Sequence, residues 1–180
     1  MLRVLIVLFF FSFFGLHAQH SGERIPWAED RPLQWEDFRG PADYKLHFDA
    51  TTTTGIQYSW SLRTKGNDSE FFYEVFTGFD PENSWVKEGK RSEHLLAHEQ
   101  LHFDITEWHA RKLRKELSSY QVSPNAKREL DQMYKRVNRE RIKIQKRYDL
   151  ETRHSQDTLA QQKWQALVKN ELEKLRDFSN

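Results

Sequence analysis

The chain has no cysteine in its 180 residues. That excludes a disulfide framework and an anchor built on an amino-terminal lipidated cysteine. Glycine (7) and proline (5) are scarce, and neither interrupts the 26 residues from Ser92 to Leu117. No internal repeat or low-complexity segment occurs. Charge of one sign is also missing: 28 basic residues face 27 acidic ones, a formal net charge of +1. The strong basic excess of a nucleic-acid-binding protein is therefore absent. Beyond the amino terminus no apolar run approaches the ~20 residues needed to span a bilayer.

The amino terminus is the exception. Arg3 precedes a nearly unbroken apolar run from Val4 to Phe14, then Gly15 breaks it and Ala18 offers a small residue for cleavage. This layout is that of a secretory signal peptide over residues 1–18. The expected mature protein is exported, to the periplasm or beyond, with no stable membrane span. Without Arg3 the basic residues fall to parity with the acidic ones. Residues 19–45, with "RPLQWEDFRGPAD", read as an aromatic lead-in with a turn at Gly40-Pro41, and residues 46–180 as the main domain.

From Phe48 to Leu62 the even positions carry Phe, Ala, Thr, Ile, Tyr, Trp and Leu, and the odd ones are mostly polar. Period-two alternation predicts a strand with one buried face. Gly66-Asn67-Asp68 is turn chemistry, and Phe71, Tyr73, Val75, Thr77 and Phe79 alternate again, so an antiparallel hairpin is expected. From Ser92 the period becomes helical. Ser92 is the expected N-cap, and apolar residues fall on nearly every face of the stretch to Leu117, as in a buried helix. Ser123-Pro124 is expected to open a second helix striped by Leu130, Met133, Tyr134, Val137, Ile144 and Tyr148. A third carries Leu159, Trp164, Leu167, Leu172 and Leu175. Between Arg111 and Arg147 stand 13 Lys or Arg against 4 Asp or Glu, read as a solvated helix face or else a patch for an anionic partner.

Inside the first helix lies His98-Glu99-Gln100-Leu101-His102. Residues four apart on a helix have Cβ atoms roughly 5–6 Å apart, so two imidazoles there converge on one metal ion. Glu99 is not aimed as a ligand. It is placed to act as general base on a zinc-activated water. A third ligand is needed, and the candidates are His94, Asp104, Glu107, His109, Asp149 and His154. His94 extends the histidine row too far along the helix to wrap one ion, Glu107 points off that face, and His109 lies about two turns beyond His102. "YDLETRHS", residues 148–155, is the cluster that can supply the ligand; His154, at a helix–helix break, is free to aim its ring.

The strings "PLQWEDFRG", "ATTTTGIQYSW", "LLAHEQLHFDITEWHARKLRKEL" and "YDLETRHS" resemble the bacterial DUF922 family over roughly residues 31–167. The resemblance implies a secreted zinc-dependent protease of the zincin-like superfamily. It implies His98, His102 and His154 as zinc ligands and Glu99 as the catalytic carboxylate. The family pattern has Gly after its last histidine, where this chain has Ser155. The expected architecture is an α+β, zincin-like fold, an antiparallel sheet packed on the buried helix with two further carboxy-terminal helices. A sheet edge near the metal would hold an extended peptide or protein substrate, and Tyr148 is a candidate oxyanion stabiliser. The alternative is a non-catalytic envelope module with a structural or idle zinc site.

Overall fold

Alternating side chains from Thr54 onward form the expected hairpin. In the computed structural model, which describes residues 23–65 and 68–180, strand β3 (Thr54–Lys65) pairs antiparallel with β4 (Asp68–Phe79) from Thr54↔Phe79 to Lys65↔Asp68. The signal-peptide residues 1–18 and the Gly66-Asn67 turn lie outside the described residues. The inner face carries Ile56, Val75, Thr77 and Phe79, all buried. Toward the far end of the hairpin Leu62 of the inner face is exposed, as is Phe72, which lies on the outer face opposite Ser61. β1 (Ile25–Pro26) extends the sheet beside β4, and β2 (Ala50–Thr51) pairs separately with β5 (Trp85–Val86). Among the described residues the fold is α+β, with two antiparallel sheets and three α-helices.

Helix α1 (Glu93–Ser118) starts where expected, with the Ser92 side chain accepting from the Leu95 N–H at 3.2 Å. Its nearly all-round hydrophobicity has a clear use, because α1 meets three separate cores. Ala110, Leu113 and Leu117 pack with Ile56 and Val75 of the sheet and with Leu130 and Val137 of α2 (Ala126–Thr152). Leu101 and Ile105 pack with Tyr148 and with Trp164 and Val168 of α3 (Thr158–Lys174). Phe103 packs with Leu33 and Phe38 of the lead-in and with Phe79. The lead-in is thus part of the core, and Gly40 is required there: a Cβ would stand 2.6 Å from the Glu82 carbonyl oxygen.

Three local expectations shift. The strand expected from Phe48 to Leu62 breaks at Thr52-Thr53, so that β2 and β3 belong to different sheets. Asn125, not Ser123, is the N-cap of α2; the Ser123 hydroxyl instead accepts from the Asn125 N–H at 3.0 Å, closing a turn one step earlier. On α3 Leu159 and Leu167 are exposed, and Val168 is fully buried in their place, since α3 meets α1 through the Gln161–Trp164–Val168 stripe.

Much of the basic run turns out to be internal or paired. Glu107, Arg111 and Arg114 are buried together: Glu107 accepts from Arg111 Nε (3.0 Å), Arg114 Nη1 (2.8 Å) and Thr77 Oγ1 (2.7 Å). Arg111 donates to the Leu172 carbonyl at 2.8 Å and Arg114 to those of Val75 and Phe178, which ties β4, α3 and the carboxy terminus to α1. Buried charges are tolerated when every donor and acceptor is satisfied in this way. Lys112 pairs with Glu140, and Arg136 with Glu116.

Candidate metal centre

His98 and Glu99 are buried on α1, and His102 lies one turn on. The helical spacing brings the two imidazoles edge to face, with ring centroids 4.9 Å apart. Both rings are held from behind. His98 Nδ1 donates to Gln161 Oε1 at 3.1 Å, and His102 Nδ1 donates to Gln145 Oε1. The Gln145 amide cannot easily turn over, because its nitrogen donates to the His102 carbonyl (2.8 Å) and to Thr106 Oγ1 (3.2 Å). With Nδ1 protonated on each ring, both Nε2 lone pairs face forward. Such outer hydrogen bonds set the tautomer and aim of ligand histidines.

What they face is Asp149 on α2. Its Oδ1 lies 2.9 Å from His102 Nε2 and 3.4 Å from His98 Nε2. The ligand atoms of these three residues lie within 4.8 Å of one another. Donors bound tetrahedrally at about 2.0–2.1 Å stand about 3.3 Å apart, a spacing that the two imidazole-to-carboxylate distances, 2.9 and 3.4 Å, bracket. The charge balance makes the same point. Two lone pairs pointed at a carboxylate repel unless a proton or cation sits between. Without metal that demand falls on protons: burial pushes the Asp149 carboxyl up, but His102 and His98 outweigh it and hold it far below the usual carboxylate range. Burial pushes His102 down, and its hydrogen bond to Asp149 and that residue's charge overcompensate to raise it. A divalent cation would serve the same set without protonating a ring. Two imidazoles and one carboxylate are a donor set for catalytic zinc, with one position left open.

The other expected ligands are placed as follows. His154 stands just outside the group, its Nδ1 3.8 Å from Asp149 Oδ1 and its side chain 41% exposed. His94 Nε2 contacts the Ser155 carbonyl oxygen and so holds the segment after α2. His109 is buried with Nδ1 donating to the Ile105 carbonyl at 2.7 Å, and burial pushes its imidazole down to about 4. Asp104 accepts from Trp27 Nε1 (2.8 Å) and Gln100 Nε2 (2.7 Å), fastening the lead-in to α1. Tyr148 is fully buried under the two imidazole rings, stacked on His98 at 4.6 Å and edge-on to His102 at 4.9 Å. Its hydroxyl donates to Gln161 Oε1 at 2.6 Å, with the His98 carbonyl at 3.2 Å as second acceptor. The phenol is the floor of the centre and does not line the cleft above it.

That cleft has a volume of about 510 Å³ and runs between α2 and the segment Phe48–Thr54. Glu99 lines it, and its carboxylate makes no hydrogen bond or ion pair among the described residues. On the opposite wall the chain is extended. Thr53 turns its N–H to Ser84 Oγ (2.9 Å) and its carbonyl to the Asp80 N–H (2.8 Å). Backbone groups alternate sides along an extended strand, so those of Thr52 face the other way; they have no partner among the described residues, and the buried Thr52 Oγ1 has none either.

The end of α2 aims the remaining group. Arg153, His154 and Ser155 take φ values of 51°, 51° and 71°, three consecutive left-handed residues. The His154 ring then stacks on Phe48 at 5.8 Å, which in turn stacks on Trp85 at 5.9 Å. Glycine would occupy position 155 with less strain. A left-handed residue with a side chain costs about 1–2 kcal/mol, and glycine's extra unfolded entropy returns about 0.5–1 of that. Ser155→Gly is therefore expected to raise unfolding stability by up to about 1 kcal/mol in urea titration. A loss of stability would show that the Ser155 side chain holds the turn.

Asp149 is one of the six candidate third ligands in the sequence. Its selection depends on α2 continuing helically to Thr152, which carries residues 145, 148 and 149 past α1 as one rigid face. Gln145 and Gln161 had no signal of their own in the sequence.

Residues 80–155 match the model of a family described as a bacterial protein of unknown function (DUF922). The matched stretch runs from the end of β4 through Ser155 and includes His98, Glu99, His102, Asp149 and His154. No curated protein and no solved structure matches the chain.

Proposed function

We propose that this protein is an exported zinc-dependent hydrolase of zincin-like design, acting on peptide bonds. The observation that carries the reading is the meeting of His98 Nε2, His102 Nε2 and Asp149 Oδ1 beside the unpartnered carboxylate of Glu99 in an open cleft. Zinc, when bound, supplies a Lewis acid for the substrate carbonyl and lowers the pKa of water. Glu99 takes the proton of the attacking water and passes it to the leaving amine. Gln161 and Gln145 hold the ligand rings in one tautomer, and Tyr148 supports both rings from below as a positioning residue. The unpaired backbone of Thr52 offers an extended peptide a place to add as a strand. Export rests on the amino-terminal sequence; among the described residues no helix is long and apolar enough to cross a membrane.

One observation favours the second reading, an envelope module with structural zinc. His154 stands near enough to Asp149 to close the site as a fourth protein donor. Chelation separates the two through activity. In the hydrolytic reading purified residues 19–180 cleave unfolded casein, lose that activity to a chelator and regain it with added zinc. Zinc-loaded protein that cleaves neither casein nor a peptide panel would leave the structural reading standing.

A further inference from the structure

Two cations line the cleft with no acid to answer them. Arg141 of α2 is half-buried; its Nε donates to Asn138 Oδ1 at 3.0 Å and Nη1 to the Thr54 carbonyl at 3.4 Å. Among the described residues no carboxylate pairs with it, and burial lowers its pKa from the ordinary value. Lys146, also in the lining, is exposed and equally without an acidic partner among the described residues. The cleft's own acids are committed elsewhere. Asp49 faces Lys90 at 3.4 Å and Lys87 at 4.0 Å, Asp149 is surrounded by imidazoles, and Glu99 is reserved for the chemistry. On the same helix Lys127 has Asp131 and Arg147 has Glu151, each at 2.7 Å.

A partly desolvated guanidinium without a counter-charge is costly, and its Nη2 N–H groups, without a hydrogen-bond partner among the described residues, suit a carboxylate. Position adds to this. Arg141 bonds the Thr54 carbonyl, so it stands at the end of the extended wall whose Thr52 backbone is unpaired. Lys146 and Arg141 precede Asp149 by three and eight residues, about 4.5 and 12 Å along the helix. An extended peptide advances about 3.3 Å per residue.

We infer that the cleft selects acidic peptides, with Arg141 and Lys146 holding a carboxylate that lies one to four residues from the bond placed at the metal centre. This rests on the hydrolase reading for the position of that bond. The contact itself requires only the cleft. Lys146, at the rim, contributes mostly to capture and is screened by salt, whereas Arg141, partly desolvated, sets the preference between a carboxylate and its amide.

The test uses random nonapeptides, acetylated and amidated so that Asp and Glu are their only anions. Zinc-loaded wild-type protein is incubated with the mixture and the cleaved bonds are read by mass spectrometry. In parallel the mixture is passed over immobilised, zinc-loaded Glu99→Gln protein and the retained peptides are read. Asp and Glu should be several-fold over-represented within four positions of the cleaved bond, and in the retained fraction. Both enrichments should vanish in an Arg141→Met, Lys146→Met variant with unchanged zinc content, and Arg141→Lys should restore part of them. A second mixture, with free carboxy termini and no Asp or Glu, identifies a terminal carboxylate as the recognised group if it is the one retained. Acidic retention without cleavage by wild type would remove the hydrolase reading and keep this one. Cleavage or retention indifferent to every carboxylate, or a preference that survives the double variant, overturns it.

Discussion

Glu99→Gln is expected to leave zinc occupancy and fold intact and to lower peptide hydrolysis by roughly 10²–10⁴-fold, the usual worth of a positioned general base. The residue is buried on α1 yet lines the cleft, and no described group neutralises or hydrogen-bonds it. Glutamine matches glutamate in size, so the packing around α1 has little reason to change. The only property removed is the ability to accept and return a proton. A buried carboxylate without partners opposes folding, so the substitution is expected to leave stability unchanged or raise it, whereas a drop in stability with hydrolysis intact would give Glu99 a role in the fold instead. Zinc content by mass spectrometry, circular dichroism and turnover of a fluorogenic peptide are measured on both proteins together. Hydrolysis that persists at the wild-type rate would trace the activity to another catalyst and end the assignment of Glu99.

The second large effect separates Asp149 from His154. Replacing His98 or His102 by Ala, or Asp149 by Asn, is expected to weaken zinc affinity by more than about 100-fold, beyond what loss of an outer-shell partner costs. His154→Ala is expected to cost about 10-fold or less. The reason lies in the distances. Asp149 Oδ1 stands 2.9 and 3.4 Å from the two Nε2 atoms, whereas His154 reaches only the Asp149 carboxylate, at 3.8 Å. Loss of zinc also removes a stabilising ligand: metal at about 1,000 times its Kd adds about 4 kcal/mol to unfolding. The zinc-dependent rise in melting temperature should therefore disappear in the first three variants and survive in His154→Ala. The opposite ranking, with His154→Ala losing the metal and Asp149→Asn keeping it, would return the ligand set to the three histidines that the family resemblance implies. Comparable losses in both, with four protein donors seen by X-ray absorption, would favour a closed structural site.

The elements of this fold were legible wherever a local pattern was long enough to admit one solution. Twenty-six residues without Gly or Pro, capped by Ser92, have no alternative to a helix, and their apolar coverage required burial on several sides. Twelve alternating residues on each side of a turn have no alternative to a hairpin. The pairing of His98 with His102 follows from the helical repeat alone, because four residues return a side chain to the same face. These readings need nothing beyond nearest neighbours along the chain.

Everything that depended on where a second element lies was decided by tertiary packing. Residues 145, 148 and 149 share one face of α2, and only the packing of that face against α1 places the Asp149 carboxylate in front of both imidazoles and the Tyr148 ring beneath them. Periodicity marks Tyr148 as part of an apolar stripe, but burial and the Gln161 bond settle that its hydroxyl points away from the cleft. The same holds for Arg111 and Arg114. In sequence they belong to a basic run, and in the fold Glu107 and three backbone carbonyls take them inside. The physical cause is common to all of these cases. A periodic pattern specifies which face of an element is apolar, whereas the partner of a polar group is set by the approach of a second element, and that information lies in the packing of whole faces rather than in any one stretch of residues.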